Sequence, residues 1–429
     1  MDNLLGILSK IIAVPSVLDR AREGAPFGAD NLNALEIMLA VGHEYGFKTY
    51  NGVGYYGYID FEGTDNDAGL IGILCHLDVV PAGAGWVNPP FELTVKDGFA
   101  YGRGIVDNKG PAVCALEAMR QLKNSGFTPR HNVRLILGCN EENGSACIKR
   151  YREEQVIPKA SFVPDADFPV VTSEMGILIL KLEVDMGGLE VVIKGGERTN
   201  MVPDRCQITN YNVQITNTDN IKVDGSTITT LGIAAHAMVP HKGDNAIWKA
   251  FELLSDIPLF ATLHSLFATP DAAKNLGIYA KDDSGFQTIN IGTIDTDGGK
   301  LILGLDLRCP VSQNIDGIIA VLQSSLKNAE LTAAVSKTYF APPLQVDPEG
   351  ILIRSLLTAY TTVTNLPPDH IRTGGGTYAR ALPNAVAFGP TFPDTVTNIH
   401  NADERISLNQ LQSLVDIYSM AIAELDKNL

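Results

Sequence analysis

Long apolar runs alternate with helix-length segments in the first third of the chain. Residues 70–75 and 133–139 are apolar almost throughout, which is typical of buried strands in a parallel sheet. Between them, residues 109–125 have the length and periodicity of a helix. The pattern also predicts helices over 4–13 and 30–45 and strands over 55–61 and 161–163. The order strand, helix, strand predicts an α/β fold, with a mostly parallel mixed sheet flanked by helices.

The pattern changes after Met175. Residues 177–186 alternate between apolar and polar positions, as in a half-buried strand. Further strands are predicted over 190–194, 206–215, 228–234, 288–294 and 301–307, with helices over 245–254 and 315–327. We therefore expect an inserted α+β domain over 177–342. The flanking parts, 1–176 and 343–429, would form one domain, because the last part adds predicted helices over 350–363 and 407–425 and a strand over 385–388.

Composition and charge narrow the range of partners. The 429 residues are 45% hydrophobic and 19% charged, which fits a globular protein with full cores. The formal net charge of −16 argues against nucleic acid and against an anionic membrane as a partner. No apolar run approaches the ~18–20 residues of a membrane span, and no signal peptide is visible. Six scattered cysteines without a CxxC pair suggest reduced core residues, so we expect a cytoplasmic protein.

The first candidate site follows the apolar run that ends at Cys75. His76 and Asp78 are two residues apart, so on a strand they share a face and point together from its carboxyl end. Open α/β sheets bind their ligands at that edge, and a carboxylate beside a histidine commonly orients it for metal binding. A surface histidine next to a loop aspartate explains the same pair equally well.

Four other segments place acids or a histidine after a predicted strand or turn. They contain Asp107, the pair Glu141-Glu142, Asp165 and His400. Each has an ordinary alternative. Asp107 could be a helix N-cap, the glutamates could be solvated, Asp165 could lie in a plain turn, and His400 could be a surface side chain.

Taken together, these segments indicate a metal site. Two imidazoles and three carboxylates, from His76, Asp107, Glu142, Asp165 and His400, suit zinc, manganese or cobalt without a thiolate. Two such cations about 3.5–4 Å apart, joined by a carboxylate and a water, form a hydrolytic site. Glu141 would then be available as the general base.

The order of the motifs resembles a known family. HLDVVPAG, GRGIVDNKG, NEE, PDADFP and NIHNADE occur in this order, and they resemble the zinc exopeptidase family that includes carboxypeptidase G, aminoacylase and carnosinase. GGERTNMVPD, GGGTYAR and the long inserted domain are most similar to the PepV-type bacterial dipeptidases. The resemblance covers nearly the whole chain.

The resemblance implies a role for each ligand candidate. His76 and Asp165 would hold one divalent ion, Glu142 and His400 would hold the other, and Asp107 would bridge them. The ions would be zinc, with manganese or cobalt as alternatives. The peptide bond between Asp107 and Asn108 would be cis, as it is in this family.

It also implies catalytic and substrate-binding residues. Asp78 would orient His76, Glu141 would act as base and then acid, and His236 would stabilise the oxyanion. The substrate-binding residues would be Asn200, Arg308, Gly375, Gly376 and Thr377. Each of three candidates also has an ordinary interpretation. His236 could be a structural histidine on a strand, Arg308 could be a surface cation at a strand end, and the glycines could form a flexible loop.

The implied activity is that of a metal-dependent dipeptidase acting on short peptides. Residues 1–176 and 343–429 would be the catalytic domain and 177–342 a lid. In PepV-type members an enlarged lid takes the place of a second subunit, so the protein would be a monomer in which His236 acts within its own chain. Two alternatives stay open, an amidohydrolase of N-acyl amino acids and a non-catalytic binder of metal or peptide.

Overall fold

The computed structural model describes residues 1–211, 217–269 and 272–429. The chain divides into two units. The first contains Met1–Thr172, Val346–Ile371 and Thr377–Leu429, and the second contains Ser173–Gln345 and Arg372–Gly376.

The first unit is built around a mixed sheet. In spatial order its strands are Lys48–Asn51, Tyr56–Phe61, Asn132–Gly138, Leu70–His76, Ala160–Val163, Ala385–Ala387 and Val171–Glu174, the last of which reaches into the second unit. Pairing is parallel between the four strands from Asn132–Gly138 to Ala385–Ala387 and antiparallel outside them. The predicted α/β fold with a mixed sheet is confirmed, with the parallel pairs at its centre.

Helices surround this sheet and explain its apolar sequence. They are Asp2–Ile12, Ala29–Glu44, Lys109–Asn124, Ala146–Glu154, Ile351–Thr364 and Leu408–Asn428, with a 3₁₀ turn at Tyr378–Ala381. All seven residues of Leu70–His76 are buried, as expected for a strand covered on both faces. Small additional sheets join Thr94–Lys96, Phe99–Tyr101 and Arg405–Ser407, and pair Ala166–Asp167 with Pro390–Thr391.

The register of the parallel strands brings the candidate residues to one edge. His76 lies opposite Gly138, the last residue of the neighbouring strand. On the other side, Ile73 lies opposite Phe162. The chain segments that follow these strands, which carry Glu141, Glu142 and Asp165, therefore leave the sheet beside His76.

The second unit is an α+β arrangement. Its eight-stranded antiparallel sheet has the order Ile221–Asp224, Thr227–Leu231, Arg205–Thr209, Val192–Gly195, Thr288–Asp297, Lys300–Cys309, Gly176–Asp185 and Ala333–Ala341. The helices are Ala246–Leu253, Pro258–Phe267, Ala272–Asn275 and Ile315–Asn328, with a 3₁₀ turn at Pro240–Lys242. Short strands pair Met201–Val202 with Ala235–His236 and Lys281–Asp282 with Gly285–Phe286. Two other short strands, Leu344–Gln345 and Ile371–Thr373, pair with Val171–Glu174 of the mixed sheet.

The alternating sequence of Gly176–Asp185 matches its burial. Leu178, Leu180 and Leu182 are fully buried, whereas the residues between them are half-exposed. This alternation is what a sheet with one face on a helical core requires. Of the strand predicted over 206–215, the first four residues are in Arg205–Thr209, and residues 212–216 lie outside the described residues.

Two predictions about the whole chain can be compared with the structure. All six cysteines are buried and free, as the scattered sequence positions predicted. Among the helices of the described residues, none combines the length and the apolar character needed to cross a membrane.

The C-terminal helix is tied to the central sheet by Asp426. Its carboxylate accepts the main-chain N–H groups of Arg130 and His131 at 3.0 and 2.7 Å, and it lies 2.9 Å from Nδ1 of the buried His131.

Asp426→Ala would leave these donors unpaired, so we expect the free energy of unfolding to fall by about 1–3 kcal/mol. Urea denaturation measures this. The exposed Asp416→Ala on the same helix is the control, expected to change stability by less than ~0.5 kcal/mol, and equal effects would contradict the prediction.

Candidate metal centre

The structure brings the five predicted ligand residues together in the first unit. Asp107 lies between the two histidines, with its Oδ1 2.9 Å from Nε2 of His76 and its Oδ2 2.9 Å from Nε2 of His400. Asp165 Oδ1 lies 3.6 Å from the same His76 nitrogen, and Glu142 Oε1 lies 3.1 Å from the same His400 nitrogen. One carboxylate faces both imidazoles, which is the arrangement that a bridging ligand between two cations needs.

The tautomer of His76 follows from its surroundings. This ring is fully buried, and its Nδ1 lies 2.9 Å from the main-chain carbonyl of Asp78. A carbonyl can only accept, so Nδ1 carries the proton and Nε2 of the neutral ring presents a lone pair. Nε2 and the facing Oδ1 of Asp107 are buried, and neither makes a hydrogen bond within the described residues. Burial lowers the pKa of His76, but the facing carboxylates of Asp107 and Asp165 raise it well above its usual value, so this pair of atoms holds a proton or, in its place, a cation that both would bind.

Without a cation, the cluster holds more negative charge than a buried site tolerates. Burial, supported by neighbouring carboxylates, raises the pKa of Glu141 well above its ordinary value and that of Asp165 to about 6. Hydrogen bonds to Asp107 and Glu142 raise the pKa of His400 to about 10. The site therefore favours bound protons, and divalent cations would supply the same positive charge in their place.

Asp78 orients more than one partner. Its main-chain carbonyl holds His76, and its carboxylate oxygens accept the N–H groups of Glu141 and Glu142 at 2.9 and 3.0 Å. The carboxylate is 3.5 Å from Nδ1 of His76. Asp78 thus fixes the loop that carries the two glutamates. Ligand atoms of Glu141, His76 and Asp165 lie within 4.8 Å of one another.

Two buried residues that the sequence did not single out hold the ligand loops. Asn108 accepts the N–H of His76 at 3.3 Å and donates to the carbonyl of Pro164 and to Oδ1 of Asp165. The peptide bond from Asp107 to Asn108 is cis, which confirms the prediction. Asn108 therefore connects three ligand-bearing segments.

Glu404 is the second of these residues. Its Oε1 accepts the N–H groups of Val106 and Asp107 at 2.9 and 3.1 Å, and its Oε2 accepts from Gly104 and from the buried Arg103 at 3.1 and 2.7 Å. Glu404 is completely buried. It ends the NIHNADE motif, yet nothing in the sequence links it to a loop about 300 residues earlier in the chain.

Other predicted residues lie in the second unit. His236 is half-buried on a short strand, and its Nδ1 accepts the N–H of Met238 at 3.1 Å, so Nε2 of the neutral ring carries the proton. Asn200 is exposed and adjoins this strand, since its carbonyl accepts the N–H of Ala237 at 2.9 Å. Arg308 is buried and makes a bidentate ion pair with Asp306.

The predicted glycine loop is divided between the two units. Gly375 belongs to the second unit, and its N–H donates to Oγ1 of Thr373 at 3.0 Å. Gly376 is exposed and ends the same segment. Thr377 belongs to the first unit, where its hydroxyl accepts the N–H of Ala379 at 3.1 Å at the start of a 3₁₀ turn. The N–H of Gly375 and the hydroxyl of Thr377 therefore have partners within the loop.

Comparison with known families identifies the chain. Residues 72–424 match the model of "Peptidase family M20/M25/M40". The chain belongs to this peptidase family. Family membership confirms the predicted metallopeptidase and its need for divalent metal ions.

Relatives of similar length support the assignment. "Putative dipeptidase YtjP" of Bacillus subtilis (strain 168) is 31% identical, and the match covers 99% of this chain and 98% of the relative. "Putative dipeptidase SAB1611c" of Staphylococcus aureus (strain bovine RF122 / ET3-1) is 32% identical, with 99% and 97% covered.

Solved structures share the fold. Human carnosine dipeptidase 1 superposes with a TM-score of 0.64 at 16% identity, covering 99% of this chain and 96% of the other. The M20 family metallo-carboxypeptidase Sso-CP2 of Sulfolobus solfataricus superposes with a TM-score of 0.64 at 15% identity, covering 100% of both chains. At these identities the likeness concerns the fold.

The role of Glu404 can be tested in this peptidase by Glu404→Gln. The amide has the same size, but its NH₂ group would face main-chain donors in place of an acceptor, so the loop that carries Asp107 would move. We expect metal affinity to fall about 10- to 100-fold, measured as metal retained against a graded chelator. Glu92→Gln, at an exposed position of the same unit, is the control. Unchanged metal affinity in Glu404→Gln would contradict this role.

Proposed function

We propose that the protein is a dipeptidase that uses two divalent ions, with Glu141 as general base, to hydrolyse short peptides. The observation that carries this proposal is Asp107, whose two oxygens each lie 2.9 Å from a different imidazole. The names of the relatives, which cover nearly the whole chain, support the substrate class.

The ions are zinc in this proposal, held by His76 and Asp165 on one side and by Glu142 and His400 on the other. Asp107 is the shared ligand. All five donors are nitrogen or oxygen atoms, a set that zinc accepts and that manganese and cobalt also accept. When bound, the ions lower the pKa of a water molecule and polarise the peptide carbonyl.

Glu141 moves the proton in this scheme. A carboxylate oxygen of Glu141 accepts a proton from the attacking water and gives it to the nitrogen of the leaving amine. Its main chain is held by Asp78 and its carboxylate lies near His76 and Asp165, so its position is set by the same contacts that hold the ligands. The first unit is therefore the catalytic domain of the proposal.

The second unit is the lid of the proposal and binds the substrate. The protonated Nε2 of His236 donates to the carbonyl oxygen that becomes negative, and Asn200 assists. Arg308, Gly375 and Gly376 bind the substrate carboxylate in this proposal, together with Thr377 of the first unit. We further propose a monomer in the cytoplasm, a location that the six free buried cysteines support.

The substrate class is tested with purified protein and added zinc or manganese. We expect hydrolysis of a free dipeptide, and slower or no hydrolysis of its N-acetylated form and of a tripeptide, measured by release of amino acids. Preference for the N-acetylated form would instead indicate an N-acyl-amino-acid amidohydrolase. Binding without turnover of any substrate would indicate a non-catalytic binder.

The role of the base is tested by Glu141→Gln. We expect kcat to fall by about 10²–10⁴-fold, because the proton acceptor is lost, with the metal content unchanged because no ligand is removed. Turnover close to wild type would remove Glu141 from this role.

Two histidine variants control for this comparison. His400→Ala removes a ligand, so we expect metal and activity to be lost together. His43→Ala removes an exposed histidine of the helix Ala29–Glu44 and should change neither quantity. Metal content by mass spectrometry and kcat on the same samples separate the three variants.

The monomer proposal is tested by mixing inactive chains. His236→Ala and Glu141→Ala should each be inactive, and their mixture should stay inactive if each chain supplies its own His236. Recovery of activity on mixing would show that the site is shared between subunits. Sedimentation of the wild-type protein gives the oligomeric state independently.

A further inference from the structure

Asp306 and Arg308 form a buried ion pair on one face of the second unit's sheet. They are two residues apart on the strand Lys300–Cys309, so their side chains share a face. Nε and Nη2 of Arg308 donate to the two carboxylate oxygens at 2.7 and 2.9 Å. Asp306 is completely buried and Arg308 is 3% exposed. Neighbouring strand positions 305 and 307 point to the apolar core, so the pair lies on the opposite face.

The ion pair with Asp306 uses only some of the N–H groups of the Arg308 guanidinium. Arg308 has five N–H groups. Asp306 takes two, and the carbonyl of Gly374 takes one from Nη1 at 3.1 Å. The remaining two, one on each Nη, make no hydrogen bond with the described residues. Two N–H groups on neighbouring nitrogens can bind both oxygens of a carboxylate.

The same contacts reach the residues proposed to bind substrate. Gly374 lies in the segment 372–376 that carries Gly375. A Cβ atom added to Gly374 would lie 3.5 Å from Cβ of Met238, whose N–H donates to His236. Arg308, the glycine segment and His236 are therefore neighbours within the second unit, and Asp306 is the buried anion beside Arg308.

We propose that Asp306 is a positioning residue, which holds the guanidinium of Arg308 in the orientation that binds the α-carboxylate of the substrate. This inference rests on the proposed function. An unpaired arginine at this depth would be costly, and its long side chain would sample several rotamers. The bidentate contact removes that freedom before the substrate arrives, and Asp306 itself touches no reacting atom.

A second ion pair of this protein provides a matched control. Arg134 donates from Nε and Nη2 to Asp60 at 2.7 and 2.8 Å, the same geometry in the central sheet of the first unit. Its guanidinium also lies over the ring of Tyr58, 3.5 Å from the centroid. Asp60→Asn therefore breaks an equivalent pair outside the residues proposed to bind substrate, and it reports the purely structural cost.

The experiment compares Asp306→Asn with Asp60→Asn in the full-length, metal-loaded protein. The readouts are kcat and KM for a free dipeptide, and the inhibition constants of a product amino acid and of its amide. For Asp306→Asn we expect kcat/KM to fall about 10- to 100-fold, mainly through KM. The preference for the free acid over the amide should fall towards one. Asp60→Asn should keep that preference even if its melting temperature falls.

Two further variants keep the test decisive. Asp306→Glu retains the negative charge and therefore folding, but displaces the guanidinium, so it should also lose acid preference. Arg308→Ala should lose this preference, and adding Asp306→Asn to it should have no further effect on KM, because the two act as one unit.

The outcomes separate this inference from the proposed function. If the wild-type protein hydrolyses no dipeptide, the proposed function fails. If it does, and Asp306→Asn and Asp306→Glu keep the acid preference, or the effects of Asp306→Asn and Arg308→Ala add, the positioning role of Asp306 is overturned while the dipeptidase proposal stands.

Discussion

The candidate site depends on main-chain N–H groups that donate to two carboxylates placed behind the ligands. Asp78 accepts from the loop of Glu141 and Glu142, and Glu404 accepts from the loop of Asp107. Hydrogen bonds to charged acceptors are among the stronger ones in proteins. The carboxylates among the candidate ligands repel one another, so these hydrogen bonds stabilise the loops that carry Asp107, Glu141 and Glu142.

The positions of Asp78 and Glu404 explain how this fold can hold the candidate metal ligands in place. A parallel sheet brings the carboxyl ends of its strands to one edge, and the loops that follow carry the chemistry. Loops alone would place side chains loosely, because few contacts hold them. Here Asn108 joins the ends of two strands through His76 and Pro164, and the buried Arg103 compensates the charge of Glu404. The loops gain the precision that ligand geometry requires.

The proximity of the five candidate ligands could be predicted, because metal chemistry restricts residue types and strands restrict spacing. The pair His76 and Asp78 is local, and the apolar run before it marks a buried strand. Glu404, Asn108 and Asp306 could not be identified in this way. Their partners are main-chain groups or lie far away in sequence, and an isolated Glu or Asn carries no signal of such a contact. The sequence did not predict the helix Ala146–Glu154, because the segment is short and mostly polar, and its buried residues are limited to Cys147, Ile148 and Tyr151.

The net charge of the chain affects how the protein could bind an anionic substrate. A protein of charge −16 repels anions at long range, so an anionic substrate must be held by local cations with defined geometry. A buried arginine with a fixed partner meets this need better than an exposed lysine, because its donors stay oriented and little entropy is lost on binding. The buried pair of Asp306 and Arg308 fits that requirement. A net negative charge and the proposed peptide-binding role are therefore compatible, because the proposed recognition would depend on two oriented N–H groups of Arg308 and not on the overall field.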